Sequence, residues 1–122
     1  MKVNCLDTYA LWEIQLANPK YSPILNCPFI ITDWTLVEFY KTMLKEYGKE
    51  IAVKWYEKFK PYFKRVDIDI LIKAVDFHRE NKREDISLFD SVGYIFSLEK
   101  NYIFVTGDKA FKNKEGVLFI QK

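Results

Sequence analysis

Four acids stand out by where they fall: Asp7, Glu38, Asp90 and Asp108. Asp7 follows the strand-like run Lys2-Val-Asn-Cys-Leu6. Asp108 follows Tyr102-Ile-Phe-Val105 after a break at Thr106-Gly107. Glu38 and Asp90 sit in the first turns of two predicted helices. In an open α/β sheet, ligands bind just beyond the carboxyl ends of the strands. If the two strands are parallel, Asp7 and Asp108 share that edge, and helices starting nearby bring the other two acids. Carboxylates gathered this way repel one another and their pKa values rise. A divalent cation relieves the repulsion, and an all-oxygen acidic set suits Mg²⁺ or Mn²⁺. Such an ion activates water and neutralises charge on a phosphodiester.

Competing chemistries lack their parts. There is no Ser-His-Asp or Cys-His constellation, and the single histidine, His78, falls in a polar helical stretch where solvation is expected. No glycine-rich phosphate loop is present, which argues against an NTPase. Each acid also has a purely structural explanation. Thr35-x-x-Glu38 reads as a capping box and Ser87-x-x-Asp90 as a similar cap. Asp7 caps the helix that begins near Tyr9, and Asp108 serves as an ordinary turn residue.

The elements that must position these acids follow from the pattern. After the strand at 2–6, residues 9–17 are helical and Asn18-Pro19 ends them. Residues 18–31, with Pro19, Pro23 and Pro28, read as a loop. Thr32 to Tyr47 is a helix with Leu36, Tyr40, Met43, Leu44 and Tyr47 at helical spacing, ended by Gly48. Residues 49–60 form another helix, with Ala52, Trp55, Tyr56 and Phe59 on one side and Pro61 closing it. Residues 63–68 alternate as a strand. Residues 69–81 are helical, with Leu71, Ile72 and Val75 apolar, and 81–85 form a charged loop. Residues 87–99 form a largely apolar, buried helix. The strand before Asp108, a helical turn over 109–112 and a strand at 117–120 complete the chain. Alternation of this kind predicts an α/β fold, a three-layer α/β/α sandwich around a parallel sheet of four to five strands.

Composition bounds the rest. The 122 residues fit a single domain spanning 1–122, with 49% hydrophobic and 17% aromatic residues for a core. A formal charge of +2 excludes a polybasic nucleic-acid binder, so binding must come from a local patch. Cys5 and Cys27 lie in apolar surroundings without metal-ligand spacing, and are expected to be buried thiols of a reducing compartment. No apolar signal segment precedes Cys5, and no run reaches the roughly 20 apolar residues of a membrane span. The expectation is a cytoplasmic protein.

The ordered set Cys-Leu-Asp7-Thr8, Thr35-Leu-Val-Glu38-Phe-Tyr, Ser87-Leu-Phe-Asp90-Ser-Val-Gly and Val105-Thr106-Gly-Asp108-Lys-Ala-Phe111 resembles a PIN domain, and within that family a VapC-type toxin ribonuclease. The likeness covers essentially the whole chain. It implies an acidic pocket binding Mg²⁺ or Mn²⁺ through Asp7, Glu38, Asp90 and Asp108, and hydrolysis of RNA by metal-activated water. It also implies a homodimer held by helices and inhibition by a small antitoxin protein. Thr106 matches the hydroxyl that supports the site, and Thr8 follows the first acid as the pattern expects. Many relatives carry a further acid two residues after the fourth; Ala110 stands there, which weakens the case for a second metal. The short, proline-rich loop between the first two helices departs from the pattern as well.

Around the acids, Lys41, Lys45, Lys109, Lys112 and Lys114 are candidates to position phosphates. Tyr9, Trp12 and Trp34 are candidates to stack on unpaired bases. The ordinary alternative makes the lysines solvated and the aromatics core. The run Trp55, Tyr56, Phe59, Tyr62 and Phe63 reads mostly as core, its excess suiting a dimer or antitoxin surface. Two other functions fit less well. A PIN-like RNA-binding or assembly module would tolerate loss of an acid, and none is lost. A receiver-like phosphoacceptor domain would want an acidic neighbour beside Asp7, and none is there.

Overall fold

A computed structural model describes residues 2–122 of the chain. Five short strands form one parallel sheet: β1 (Asn4–Leu6), β2 (Phe29–Thr32), β3 (Phe63–Lys64), β4 (Ile103–Thr106) and β5 (Val117–Phe119). Their spatial order is β3-β2-β1-β4-β5. Five helices connect them: α1 (Thr8–Gln15), α2 (Asp33–Tyr47), α3 (Lys49–Phe59), α4 (Ile68–Glu80) and α5 (Leu88–Lys100).

The pleat explains the layers. Side chains alternate across a strand, so Leu6, Ile31 and Val105 point to one face and pack with Ala10, Leu11, Phe39, Met43 and Phe59 of α1, α2 and α3. Cys5 and Ile30 point to the other face and meet Ile70 and Ala74 of α4 with Val92 and Phe96 of α5. Phe104, on that same side, joins Tyr94 and Phe111 in an aromatic cluster with ring centroids 5.1–5.7 Å apart. The result is the α/β/α sandwich that the alternation predicts, with both faces of the sheet covered as parallel sheets require.

Several local expectations change. The segment read as a loop over 18–31 contains a 3-10 turn at Ser22–Asn26 and then β2. Phe29-Ile-Ile-Thr is a β-branched run, masked in the sequence by the prolines before it and the helix after it. The strand read over 63–68 shrinks to Phe63–Lys64, because Asp67 caps α4 by accepting from the Ile70 N–H at 3.0 Å. Helix α4 buries Ile70 and Ala74, while Ile72 and Val75 face out with Ile68. Leu44 and Tyr47, assigned to the apolar face of α2, are also exposed, and Phe39 takes the buried place. Of the aromatic run after α2, Phe59 alone is fully buried; Tyr62 and Phe63 are exposed. Cys5 is buried as expected, its thiol pushed up to about 12 by burial. Cys27 is exposed.

Candidate active site

Strand β1 is the middle of the sheet. The chain runs outward from it through β2 and β3 on one side and β4 and β5 on the other. The strand order therefore reverses between β1 and β4, and a crevice opens beyond their carboxyl ends at such a switch point. The Asp7 N–H donates to the Val105 carbonyl at 3.2 Å, which ties the two strand ends together. Asp7 and Asp108 leave the sheet on either side of that crevice.

Asp7 is buried at the end of β1, 1% exposed, and does not itself line the pocket that the other three acids share. It caps α1: its Oδ1 accepts from the Ala10 N–H at 2.8 Å. Its Oδ2 is buried with no hydrogen-bond partner. Burial raises the Asp7 pKa well above the usual carboxylate value, and the charges of Asp90 and Asp108 add to the rise. The Thr106 hydroxyl is close enough to pull the other way without completing a hydrogen bond to Oδ2. An orphaned, desolvated carboxylate oxygen costs the fold about 1–3 kcal/mol.

The other acids close in from helix starts and a turn. Asp90 sits in the first turn of α5, where its N–H donates to the N-cap Ser87 Oγ at 3.0 Å. Burial, then the charges of Glu38 and Asp108, push its pKa up to about 7. Glu38, in the second turn of α2, accepts on Oε1 from the Thr8 hydroxyl. The turn holding Asp108 is set by its own backbone: the Asp108 N–H donates to Thr106 Oγ1 at 3.0 Å, and Asp108 Oδ1 accepts from the Ala110 N–H at 3.0 Å. Thr8 and Thr106 thus each orient an acid. The capping reading holds for Ser87 and Asp90. It fails for Thr35 and Glu38, because Thr32 caps α2, its Oγ1 accepting from the Thr35 N–H at 3.0 Å.

Thr8, Tyr9, Trp12, Glu38, Asp90 and Asp108 line one pocket of about 380 Å³. Thr42, Glu13 and Lys122 line it too, and none of these three stands out in the sequence. Glu13 belongs to the helical face of Tyr9 and Trp12, one turn on from Tyr9; it is buried and accepts from Asn18 Nδ2 at 2.8 Å. The remaining candidates lie elsewhere. Trp34 packs at a tilt against Phe89 in a separate cleft, with centroids 5.5 Å apart. Lys41, Lys45 and Lys109 are exposed and do not line the pocket, nor do Lys112 and Lys114. Lys114 instead pairs with Glu84 at 2.9 Å.

Gly107 holds the crevice together. A Cβ there would come within 2.1 Å of the Tyr9 ring and 2.7 Å of the Tyr21 hydroxyl. Only a residue without a side chain lets Tyr9 pack across the strand end beside Asp7 and Asp108. The Tyr9 pKa is raised, first by burial and then by the charges of Glu13, Asp7 and Asp108.

The donor set fits Mg²⁺ or Mn²⁺ in kind: carboxylate oxygens, one of them buried and unsatisfied. Among the described residues, no group of three acid, histidine or cysteine side chains is arranged tightly enough to enclose an ion by itself. Magnesium is commonly held by one or two carboxylates with water completing its shell, so an open set of this kind is compatible with it.

Comparison with known proteins supplies a fold. No family model matches the chain, and no curated protein does. Solved structures do. A Mycobacterium tuberculosis toxin, VapC20, described as cleaving the sarcin-ricin loop, superposes with a TM-score of 0.83 at 12% identity, covering 98% of this chain and 99% of the other. A DNA-bound VapBC from Salmonella typhimurium gives 0.75 at 18% identity over 99% and 98%. A toxin–antitoxin complex from Klebsiella pneumoniae gives 0.74 at 18% identity over 94% and 95%. The chain has the fold of VapC-type PIN domains, with nearly all of each chain superposed.

Proposed function

We propose that the chain is a metal-dependent endoribonuclease that hydrolyses RNA phosphodiester bonds, and that it acts as the toxin of a toxin–antitoxin pair. The observation that carries this reading is the buried, partnerless Asp7 Oδ2 at the switch point, with Asp90 and Asp108 near enough to raise its pKa and Glu38 acting on Asp90 in turn. These four acids would hold Mg²⁺ or Mn²⁺, which when bound supplies an activated water and neutralises charge on the phosphate. The chain's own residues prepare that site. The Ala10 N–H fixes one oxygen of Asp7, so the orientation of the other is set. Thr8 does the same for Glu38. Thr106 holds the turn that presents Asp108. Burial and the charges of Glu38 and Asp108 raise the Asp90 pKa to about 7, and a nearby cation would favour its ionised form.

RNA as substrate is supported by the fold shared with a toxin described as cleaving the sarcin-ricin loop. An antitoxin partner is supported by the toxin–antitoxin complexes among the neighbours and by an apolar groove of about 490 Å³. Leu36, Val37 and Tyr40 of α2 line it with Val53 and Tyr56 of α3 and Phe63. The exposed stripe Ile68, Ile72 and Val75 on α4 supports pairing of two copies.

Incubating the purified chain with structured and unstructured RNA, in Mg²⁺, Mn²⁺ or excess EDTA, tests the reading. Cleavage is expected with metal only, and is expected to vanish in Asp7→Asn and Asp108→Asn. Cleavage that persists in EDTA, or is undiminished in both variants, overturns it.

A further inference from the structure

The pocket has one cationic side chain in its lining, Lys122. Its place follows from the topology. Strand β5 is parallel to β4, so the chain leaves β5 at the same sheet edge as Asp7 and Asp108. Two hydrogen bonds then pin the tail. The Ile120 N–H donates to the Thr106 carbonyl at 2.9 Å, and the Tyr21 hydroxyl donates to the Ile120 carbonyl at 2.6 Å. Lys122 follows two residues later and turns over the pocket. The ion pairs among the described residues are Lys73 with Glu99 and Lys114 with Glu84. Lys122 therefore borders an acidic pocket, and its side chain is free of any ion pair with the pocket's acids.

On the α1 side of the same pocket stands Trp12. It is half-buried and stacks on Tyr47 of α2, with centroids 5.9 Å apart and planes 24° from parallel. A ring backed in this way has already lost much of its freedom, so stacking a further ring on it orders little more. A phosphate-seeking charge and a braced aromatic thus border the same acidic pocket.

Resting on the nuclease reading, we propose that Lys122 and Trp12 form a subsite for one unpaired nucleotide of the RNA. Lys122 takes its phosphate and Trp12 stacks on its base. A base in a duplex is already stacked on its neighbours, so the subsite selects single strands and loops.

The test uses Asp108→Asn to prevent turnover and follows binding of a short labelled RNA by fluorescence anisotropy in Mg²⁺ over a range of salt. Lys122→Met is expected to weaken binding of unpaired RNA about tenfold at low salt. It should also reduce the slope of log affinity against log salt by about 0.7, the value for one phosphate contact on a single strand. Lys122→Arg should restore both, and Mn²⁺ affinity by calorimetry should not change in either. Trp12→Ala is expected to weaken unpaired RNA about tenfold and duplex RNA little, with Trp12→Phe retaining most of the binding. An unchanged salt slope in Lys122→Met overturns the proposal. So does an effect confined to tighter Mn²⁺ binding, or equal loss of duplex and unpaired RNA in both Trp12 variants. If the unmodified chain cleaves no RNA with either metal, the nuclease reading itself falls. If it cleaves and Lys122→Met behaves like it in every assay, the subsite alone falls.

Discussion

Asp7 and Asp67 perform the same local task at two ends of the molecule. Each is an extended residue before a helix, and each accepts on Oδ1 from the N–H three residues on, at 2.8 and 3.0 Å. Asp67 begins α4 on the open surface, where its second oxygen is accessible to solvent. Asp7 begins α1 buried at the end of β1, where nothing completes it. A cap needs only one oxygen. The buried second oxygen of Asp7 therefore serves no purpose in capping, and the fold carries it at a loss. That surplus, rather than the presence of an acid, is what distinguishes Asp7 from Asp67.

Exchanging the two acids should split their roles. Asp7→Asn keeps the cap and removes the buried charge. Metal-dependent cleavage is expected to fall at least about a hundredfold, ~3 kcal/mol of transition-state stabilisation, while the melting temperature without metal holds or rises. A fall in both would make Asp7 a structural residue like Asp67.

Gly107→Ala attacks the crevice without touching an acid. The methyl meets the Tyr9 ring, and displacing it is expected to lower stability by about 1–3 kcal/mol. Cleavage should drop with it; denaturant melts and an RNA assay on the same sample check both. Unaltered stability would mean that Tyr9 swings away freely.

The pH dependence tests the burial of Asp7 together with that of Asp90. Asp7 and Asp90 have folded pKa values raised above the unfolded carboxylate value, Asp90 to about 7. The folded state thus holds these protons more tightly than the unfolded one. Their contribution to stability is complete below about pH 4 and is lost as pH climbs toward 7. Without metal, the protein is expected to melt several degrees lower at pH 7.5 than at pH 5, and Asp7→Asn should shrink the difference. Scanning fluorimetry with and without Mn²⁺ reads this directly, and Mn²⁺ should raise the pH 7.5 value most.

The smallest effect belongs to Asp67→Ala. Loss of an ordinary cap is expected to lower stability by about 1 kcal/mol and leave cleavage unchanged. An effect on cleavage would mean that α4 couples to the crevice.

The sequence shows some of these features and hides others for physical reasons. Buried elements write themselves into it: β1, β4 and α5 are apolar runs, and the acids at their ends mark the edge of the sheet. Strand β2 is hidden because Phe29–Thr32 is short and passes directly into a helix, so the pattern of one element runs into the next. The faces of α4 are misread because Ile68, Ile72 and Val75 are apolar yet exposed, and periodicity records hydrophobicity without saying what lies opposite. Lys122 and Thr42 are missed because only the folded chain shows what stands beside Glu38 and Asp108.

One feature of the sheet bears on how the protein is made. Strand β1 is the first strand along the chain and waits longest for its second neighbour. Asn4–Leu6 must wait for Ile103–Thr106 before the centre of the sheet exists, and Asp108 lies beyond that again. Contacts this distant in sequence form late. A nascent chain can assemble α2 and α3 and bury their faces, but it has no crevice until almost all of it has been translated. If the protein attacks RNA, the site is unassembled until β4 is made, and an inhibitor need only be present when β4 and β5 fold.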